Sequence, residues 1–155
     1  QQKNFRTYCL VSDGELDEGS NWEAILFAPH HGLSNLTLLV DYNKIQSLGD
    51  VKDVLDLSPL DKKFEAFGWN VVVIDGHNHA EIENALANAK AETAKPTVII
   101  ANTIKGKGVS FMEDRFEYHN IIPKGTTLTK STNYRKRAEK VMKEKGLAFM
   151  FETPA

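Results

Sequence analysis

The chain has 155 residues, 41% hydrophobic and 26% charged, with 19 basic against 21 acidic side chains and a net charge of −2. That length fits one domain able to bury its own core, and the charge balance excludes a strongly basic nucleic-acid binder or an acidic tail protein. The single cysteine, Cys9, excludes a disulfide framework and a cysteine-rich zinc module, and no apolar run approaches the 18 residues of a membrane span.

No secretory leader is visible, so a cytoplasmic protein is expected. The chain opens at Gln1 rather than Met and runs almost directly into an apolar segment, which reads either as a piece cut from something longer or as a processed N-terminus. Residues 7–11 are short, apolar and aromatic, and the turn cluster Ser12-Asp13-Gly14 follows at once, as at the end of a strand. Cys9 falls inside this strand and is expected in the core. Residues 21–31 carry Trp22, Ile25 and Leu26 at helical spacing, with Ala24, Phe27 and Ala28 on the other faces. A helix apolar nearly all round is expected to be buried, and Pro29 ends or kinks it.

Residues 36–40 (Leu-Thr-Leu-Leu-Val) read as a strand buried on both faces, the parallel-sheet type. Residues 41–53 read as a loop. A short helix is predicted over 61–67, behind Pro59, and a strand over 71–74 that Asp75-Gly76 ends. Residues 79–91 place Ile82, Ala85, Leu86 and Ala89 on one helical stripe. Pro96 precedes a fourth strand over 97–101. Residues 105–124 are loop-rich, 123–131 resemble a linker, and 133–145 predict a last helix.

Residues 124–145 hold eight basic and two acidic side chains, which fits a solvated helix face better than a phosphate contact. Strands alternating with helices argue for an α/β fold, three layers with a mainly parallel sheet and helices on both faces. Residues 1–125 read as the α/β domain and 126–155 as a C-terminal helix and tail.

In open parallel sheets ligands bind beyond the carboxyl ends of the strands. Two places there stand out: Asp13-Gly14 after the first strand, and Asp41-Tyr42-Asn43-Lys44-Ile45 after the second. Asn43 comes 30 residues after Asp13. A carboxylate and an amide oxygen in one crevice are hard ligands that suit Mg²⁺, with phosphate oxygens completing its shell. Gly14 lets a phosphate approach the backbone, and the next helix turns its positive end toward the same anion. Taken singly, Asp-Gly and a loop Asn are ordinary turn residues. His30, His31, His77 and His79 lie near helix ends and lack a metalloenzyme pattern, so capping and turn roles are expected for them.

The strings Asp13-Gly14-Glu15-Leu16-Asp17-Glu18-Gly19-Ser20-Asn21-Trp22-Glu23-Ala24, Asp41-Tyr42-Asn43-Lys44-Ile45-Gln46 and Lys105-Gly106-Lys107-Gly108-Val109-Ser110-Phe111-Met112-Glu113 resemble the transketolase family. They are most similar to the N-terminal subunits of two-subunit transketolases. The resemblance runs from about Tyr8 to His119. It implies thiamine diphosphate and Mg²⁺ as cofactors, with Asp13, Asn43 and the Ile45 carbonyl on the metal. It puts Gly14, Glu15, Asn43, Ile45 and His119 at the cofactor. It also implies catalytic parts for Glu18 and His119, with Glu18 and Glu23 in a hydrogen-bonded network near a dimer interface.

The implied activity is transfer of a two-carbon ketol unit from a ketose phosphate to an aldose. The implied partner is a C-terminal transketolase half that holds the cofactor's pyrimidine, in a homo- or hetero-oligomer, with no nucleic acid or membrane involved. A 1-deoxyxylulose-phosphate synthase, a dehydrogenase E1 component and a non-catalytic subunit of the same fold are the alternatives. Two residues depart from the family pattern, Ser12 for a Gly and Tyr42 for an Asn or Asp. A serine held at positive φ costs roughly 1–2 kcal/mol; in extended backbone it costs little. An exposed apolar patch covered by another chain is expected near the strand carboxyl ends and the first helix, around Trp22.

Overall fold

The computed structural model describes residues 5–121 together with Lys136, Arg137, Lys140 and Glu144. The chain divides into two compact units, Gln1–Lys105 and Gly106–Ala155. The expected linker and the boundary at 125–126 lie outside the described residues. Most of the helix predicted over 133–145 does too, although the four residues described there are helical.

In the first unit the β-branched and leucine-rich runs form the strands β1 (Thr7–Ser12), β2 (Leu36–Tyr42), β5 (Asn70–Asp75) and β6 (Thr97–Asn102) of one sheet. Its order is β1-β2-β6-β5 and every pairing is parallel. The helices α1 (Gly19–His30), α3 (Leu60–Phe67) and α4 (His79–Ala91) connect the strands. Going from β1 to β2 steps one way across the sheet, and going from β5 to β6 steps the other way. With right-handed crossovers, opposite steps put the connecting helices on opposite faces. The two cores agree. Ile25 and Ala28 of α1 and Phe64 of α3 pack on Leu38, Val40, Val98 and Ile100, whereas Ala85 and Ala89 of α4 pack on Ile74 and Ile99. The direction reverses between β2 and β6, which makes their carboxyl ends the switch point where a crevice opens.

The first core is aromatic. Trp22 meets Phe64 and Phe67 at centroid distances of 5.9 and 6.0 Å, and Phe64 meets Trp69 at 5.6 Å. Both indoles reach acceptors, Trp22 Nε1 donating to the Leu16 carbonyl at 2.6 Å and Trp69 Nε1 to the Ile25 carbonyl at 2.7 Å. Buried indoles need such partners. Trp22 is therefore half-buried and occupied, not the centre of an exposed patch.

The exposed apolar surface lies on β1 and on other faces of α1. β1 is an edge strand, and α4 covers the other end of its face of the sheet. Leu10 is 71% exposed and Cys9, expected in the core, is exposed as well. Leu10 and Leu39 continue into an apolar groove of about 240 Å³ that runs to Ile82 and Leu86 of α4. The expectation that α1 is buried all round also fails. Only Ile25 and Ala28 are buried, while Leu26 and Phe27 are 56% and 54% exposed, because the sheet and α3 cover one stripe of the helix. The stretch 41–53, read as loop, holds a small antiparallel pair, β3 (Ile45–Gln46) with β4 (Gly49–Asp50), and the single-turn helix α2 (Val51–Val54).

In the second unit, Gly106 has φ 76° and a Cβ there would stand 2.7 Å from the Met112 carbonyl oxygen, so only glycine fits. Phe116–His119 form a 3-10 turn. Among the described residues no helix is long and apolar enough to cross a membrane.

Candidate functional site

The predicted ligands converge beyond β1 and β2. The backbone N–H of Asp13 donates to the Asp41 carbonyl at 3.2 Å, so the two strand exits stay side by side past the last ladder residues. Asp13 is 1% exposed. Its carboxylate accepts from the backbone N–H of Gly14 (Oδ1, 2.8 Å) and of Lys44 (Oδ2, 2.5 Å). Lys44 sits between Asn43 and Ile45, so the second bond ties Asp13 to the segment carrying both other predicted ligands. That bond requires an unusual backbone: Lys44 has φ 68°, the left-handed region a lysine seldom visits. Strain of this kind persists where the surroundings over-determine it, often at functional sites. Asn43 is buried, and its Oδ1 accepts the Ile45 N–H at 3.1 Å in an Asx turn.

Burial pushes the Asp13 carboxyl pKa up, and the charge of Asp41 pushes it further. The two backbone N–H bonds and the Lys105 ammonium act the other way without cancelling the rise. Among the described residues no salt bridge reaches Asp13. A buried carboxylate without a salt bridge is costly. Its two N–H bonds leave oxygen lone pairs free, and Asn43 adds a neutral oxygen. This donor set fits a hard divalent cation. Among the described residues no group of three or more His, Cys, Asp or Glu offers a competing metal site.

Ser12 carries no strain. It is the last residue of β1, in extended backbone. It forms a capping box with Glu15: the Ser12 N–H and hydroxyl donate to Glu15 Oε2 at 2.7 and 3.0 Å, and the Glu15 N–H donates to Ser12 Oγ at 3.4 Å. The Glu15 carboxylate is thus engaged with Ser12 and is exposed. Gly14 lies against Gln46; an added Cβ would stand 3.2 Å from Gln46 Cβ. Glu18 and Glu23 are exposed, with Glu18 at the N-cap of α1 and making no side-chain cap. His119 ends the 3-10 turn of the second unit and is exposed there.

Sequence reasoning assigned no role to three residues here. Lys44 supplies the N–H that braces Asp13. Thr103, just past β6, donates its hydroxyl to Asp41 Oδ1. Gln46 is buried and its Nε2 has no hydrogen-bond partner among the described residues. Lys44 and Gln46 had a signal, their places beside predicted metal ligands; Thr103 had none.

Residues 2–135 match the family model described as transketolase, thiamine diphosphate binding domain. The chain belongs to the transketolase family. It is 47% identical over 114 residues to the 6-deoxy-6-sulfo-D-fructose transketolase subunit SqwG of Clostridium sp. (strain MSTE9), covering 74% of this chain and 42% of that protein. It is 40% identical over 116 residues to the transketolase of Homo sapiens, covering 75% of this chain and 18% of that one. Among solved structures, transketolase from Campylobacter jejuni superposes with a TM-score of 0.71 at 38% identity, over 75% of this chain and 18% of that one. The transketolase domain described here therefore spans less than half the length of these relatives, and its mainly parallel α/β fold is the one they share.

Proposed function

We propose that this domain is the diphosphate-side half of a two-part transketolase, acting with a C-terminal half that receives the cofactor's pyrimidine. The reaction is transfer of a two-carbon ketol unit from a ketose phosphate to an aldose, in the cytoplasm and within a dimer or larger oligomer. When bound, thiamine diphosphate supplies the electron sink that lets the bond beside a ketose carbonyl break.

The protein's part is to bind and orient. Asp13, Asn43 and the Ile45 carbonyl hold Mg²⁺, which neutralises the diphosphate. Gly14 leaves room for the anion at the strand exit, with Glu15 and Asn43 beside it. His119 contacts the diphosphate, and Glu18 joins a carboxylate network at the dimer interface. Both are carried over from the family motif. The exposed Leu10, Leu26 and Phe27 supply apolar surface for docking the rest of the enzyme.

The observation that carries this reading is the Asp13 carboxylate, 1% exposed, raised in pKa and without a salt bridge among the described residues. A cation at that point removes the cost of burying the charge. Isothermal titration with thiamine diphosphate, with and without Mg²⁺, tests the reading: binding is expected only with the metal. Adding a pyrimidine-binding half is expected to give ketol transfer, and His119→Ala in that assembly to lower it. Metal-independent binding would count against the site.

A further inference from the structure

We propose that Gln46 is a further cofactor-binding residue, its carboxamide N–H donating to a diphosphate oxygen of thiamine diphosphate beside Gly14. The inference rests on the cofactor reading above and adds a residue to it.

Gln46 is 8% exposed, and its Nε2 is buried with no hydrogen-bond partner among the described residues. Buried donors in folded proteins are nearly always paired, and an orphan calls for a specific reason. The backbone gives none. Gln46 pairs with Gly49 in the β3–β4 hairpin through main-chain atoms, which any residue can do. Its side chain fills space against Gly14, where an added Cβ would stand 3.2 Å from Gln46 Cβ and 3.7 Å from Oε1. A methionine would fill that space as well without burying a polar group. The amide is therefore surplus to the fold.

Its chemistry selects a partner. An amide N–H is a donor and cannot ligate a cation, so among the groups assigned to this site it answers the anion and not Mg²⁺. Gly14 has no side chain, which lets an anion approach close to it. Gln46 follows the predicted ligand Ile45, and the Gly14 N–H is already committed to Asp13. Oε1 is the carboxamide atom on the Gly14 side; a half-turn about the last side-chain torsion, which is two-fold and soft, brings Nε2 there as the donor which that side lacks.

The test uses the full chain and two probes, thiamine diphosphate with Mg²⁺ and inorganic pyrophosphate with Mg²⁺. Each is titrated by calorimetry into wild type, Gln46→Met, Gln46→Leu and Asp13→Ala. Unfolding midpoints of the ligand-free proteins are measured alongside. Gln46→Met is expected to weaken both probes about tenfold, the size of one hydrogen bond to a charged acceptor, and to leave the ligand-free midpoint equal or higher. Equal affinity in wild type and both Gln46 variants, with Asp13→Ala weakened, would overturn the inference and leave the cofactor reading standing. A lower ligand-free midpoint for Gln46→Met, with Gln46→Leu no better, would show that the amide has a structural partner and would overturn it too. No Mg²⁺-dependent binding of either probe to wild type would bring down the reading and the inference together.

Discussion

The two ends of the strand-exit edge manage polarity in opposite ways. At the β5–β6 end the polar groups satisfy one another. Asp75 Oδ1 accepts the His77 N–H at 2.9 Å, His77 Nε2 accepts the Ile104 N–H at 2.7 Å, and Asn78 caps α4 through Ala80 and Glu81. Glu81 accepts from the Asp75 N–H and from Asn78 Nδ2. At the β1–β2 end polar groups are buried and, among the described residues, left partly unanswered: the Asp13 carboxylate with no salt bridge, the Gln46 Nε2 with no partner, and Lys44 held in the left-handed region. Self-satisfied polarity fixes a fold; polarity buried without a partner makes the empty fold less stable than it could be, and in the function proposed above the ligand answers it. Stability and binding should therefore respond in opposite patterns to mutation at the two ends.

The sharpest break is Asp13→Ala. Outer-shell partners of metal sites already cost 10–100-fold when lost, so deleting a direct ligand should weaken Mg²⁺-dependent thiamine diphosphate binding by more than about a hundredfold. Circular dichroism should show the fold retained. Unchanged affinity in calorimetry would remove Asp13 from the site.

Gly76→Ala probes the other end. An added Cβ would stand 2.4 Å from Thr103 Cγ2, 3.0 Å from Ala101 Cβ and 3.2 Å from the Asn102 carbonyl oxygen. The β5 exit would have to move off β6, at about 1–3 kcal/mol by analogy with overpacked cores. Denaturant unfolding reads this directly, and a change under about 0.5 kcal/mol, the usual range for surface substitutions, would show that the two exits are not in contact in solution.

Asn78→Ala removes the α4 cap and should cost about 1 kcal/mol of stability. Cofactor affinity should stay within about twofold, since typical hydrogen-bond effects exceed that. A parallel loss of affinity would show that the two ends are coupled.

The smallest effect is a pH dependence. Burial holds the Asp13 pKa above its unfolded value. The stability tied to its protonated form is fully present below the ordinary carboxylate range of about 3.9 and is lost as pH rises through the folded value. Asp13→Asn, which cannot ionise, should therefore gain on ligand-free wild type as pH rises across that window. A stability difference that stays flat with pH would mean the carboxylate is not buried at a cost.

Sequence alone determined much of this domain. Continuous apolar runs separated by helical periodicity specify four parallel strands, because only a doubly covered sheet buries such strands. The 30-residue spacing of Asp13 and Asn43 marks two neighbouring strand exits, and the family strings identify the cofactor class. Tertiary structure decided the rest. β1 became the edge, exposing Cys9 and Leu10, because strand order depends on long-range pairing that leaves no trace in one strand's own residues. Trp22 turned inward because Leu16 and Phe64, distant from each other in the chain, meet it there. The β3–β4 pair went unread because two-residue strands have no period to detect. The bracing of Asp13 by the Lys44 N–H and the orphaned Gln46 amide are contacts between separate segments, and only folding brings those segments within hydrogen-bond reach.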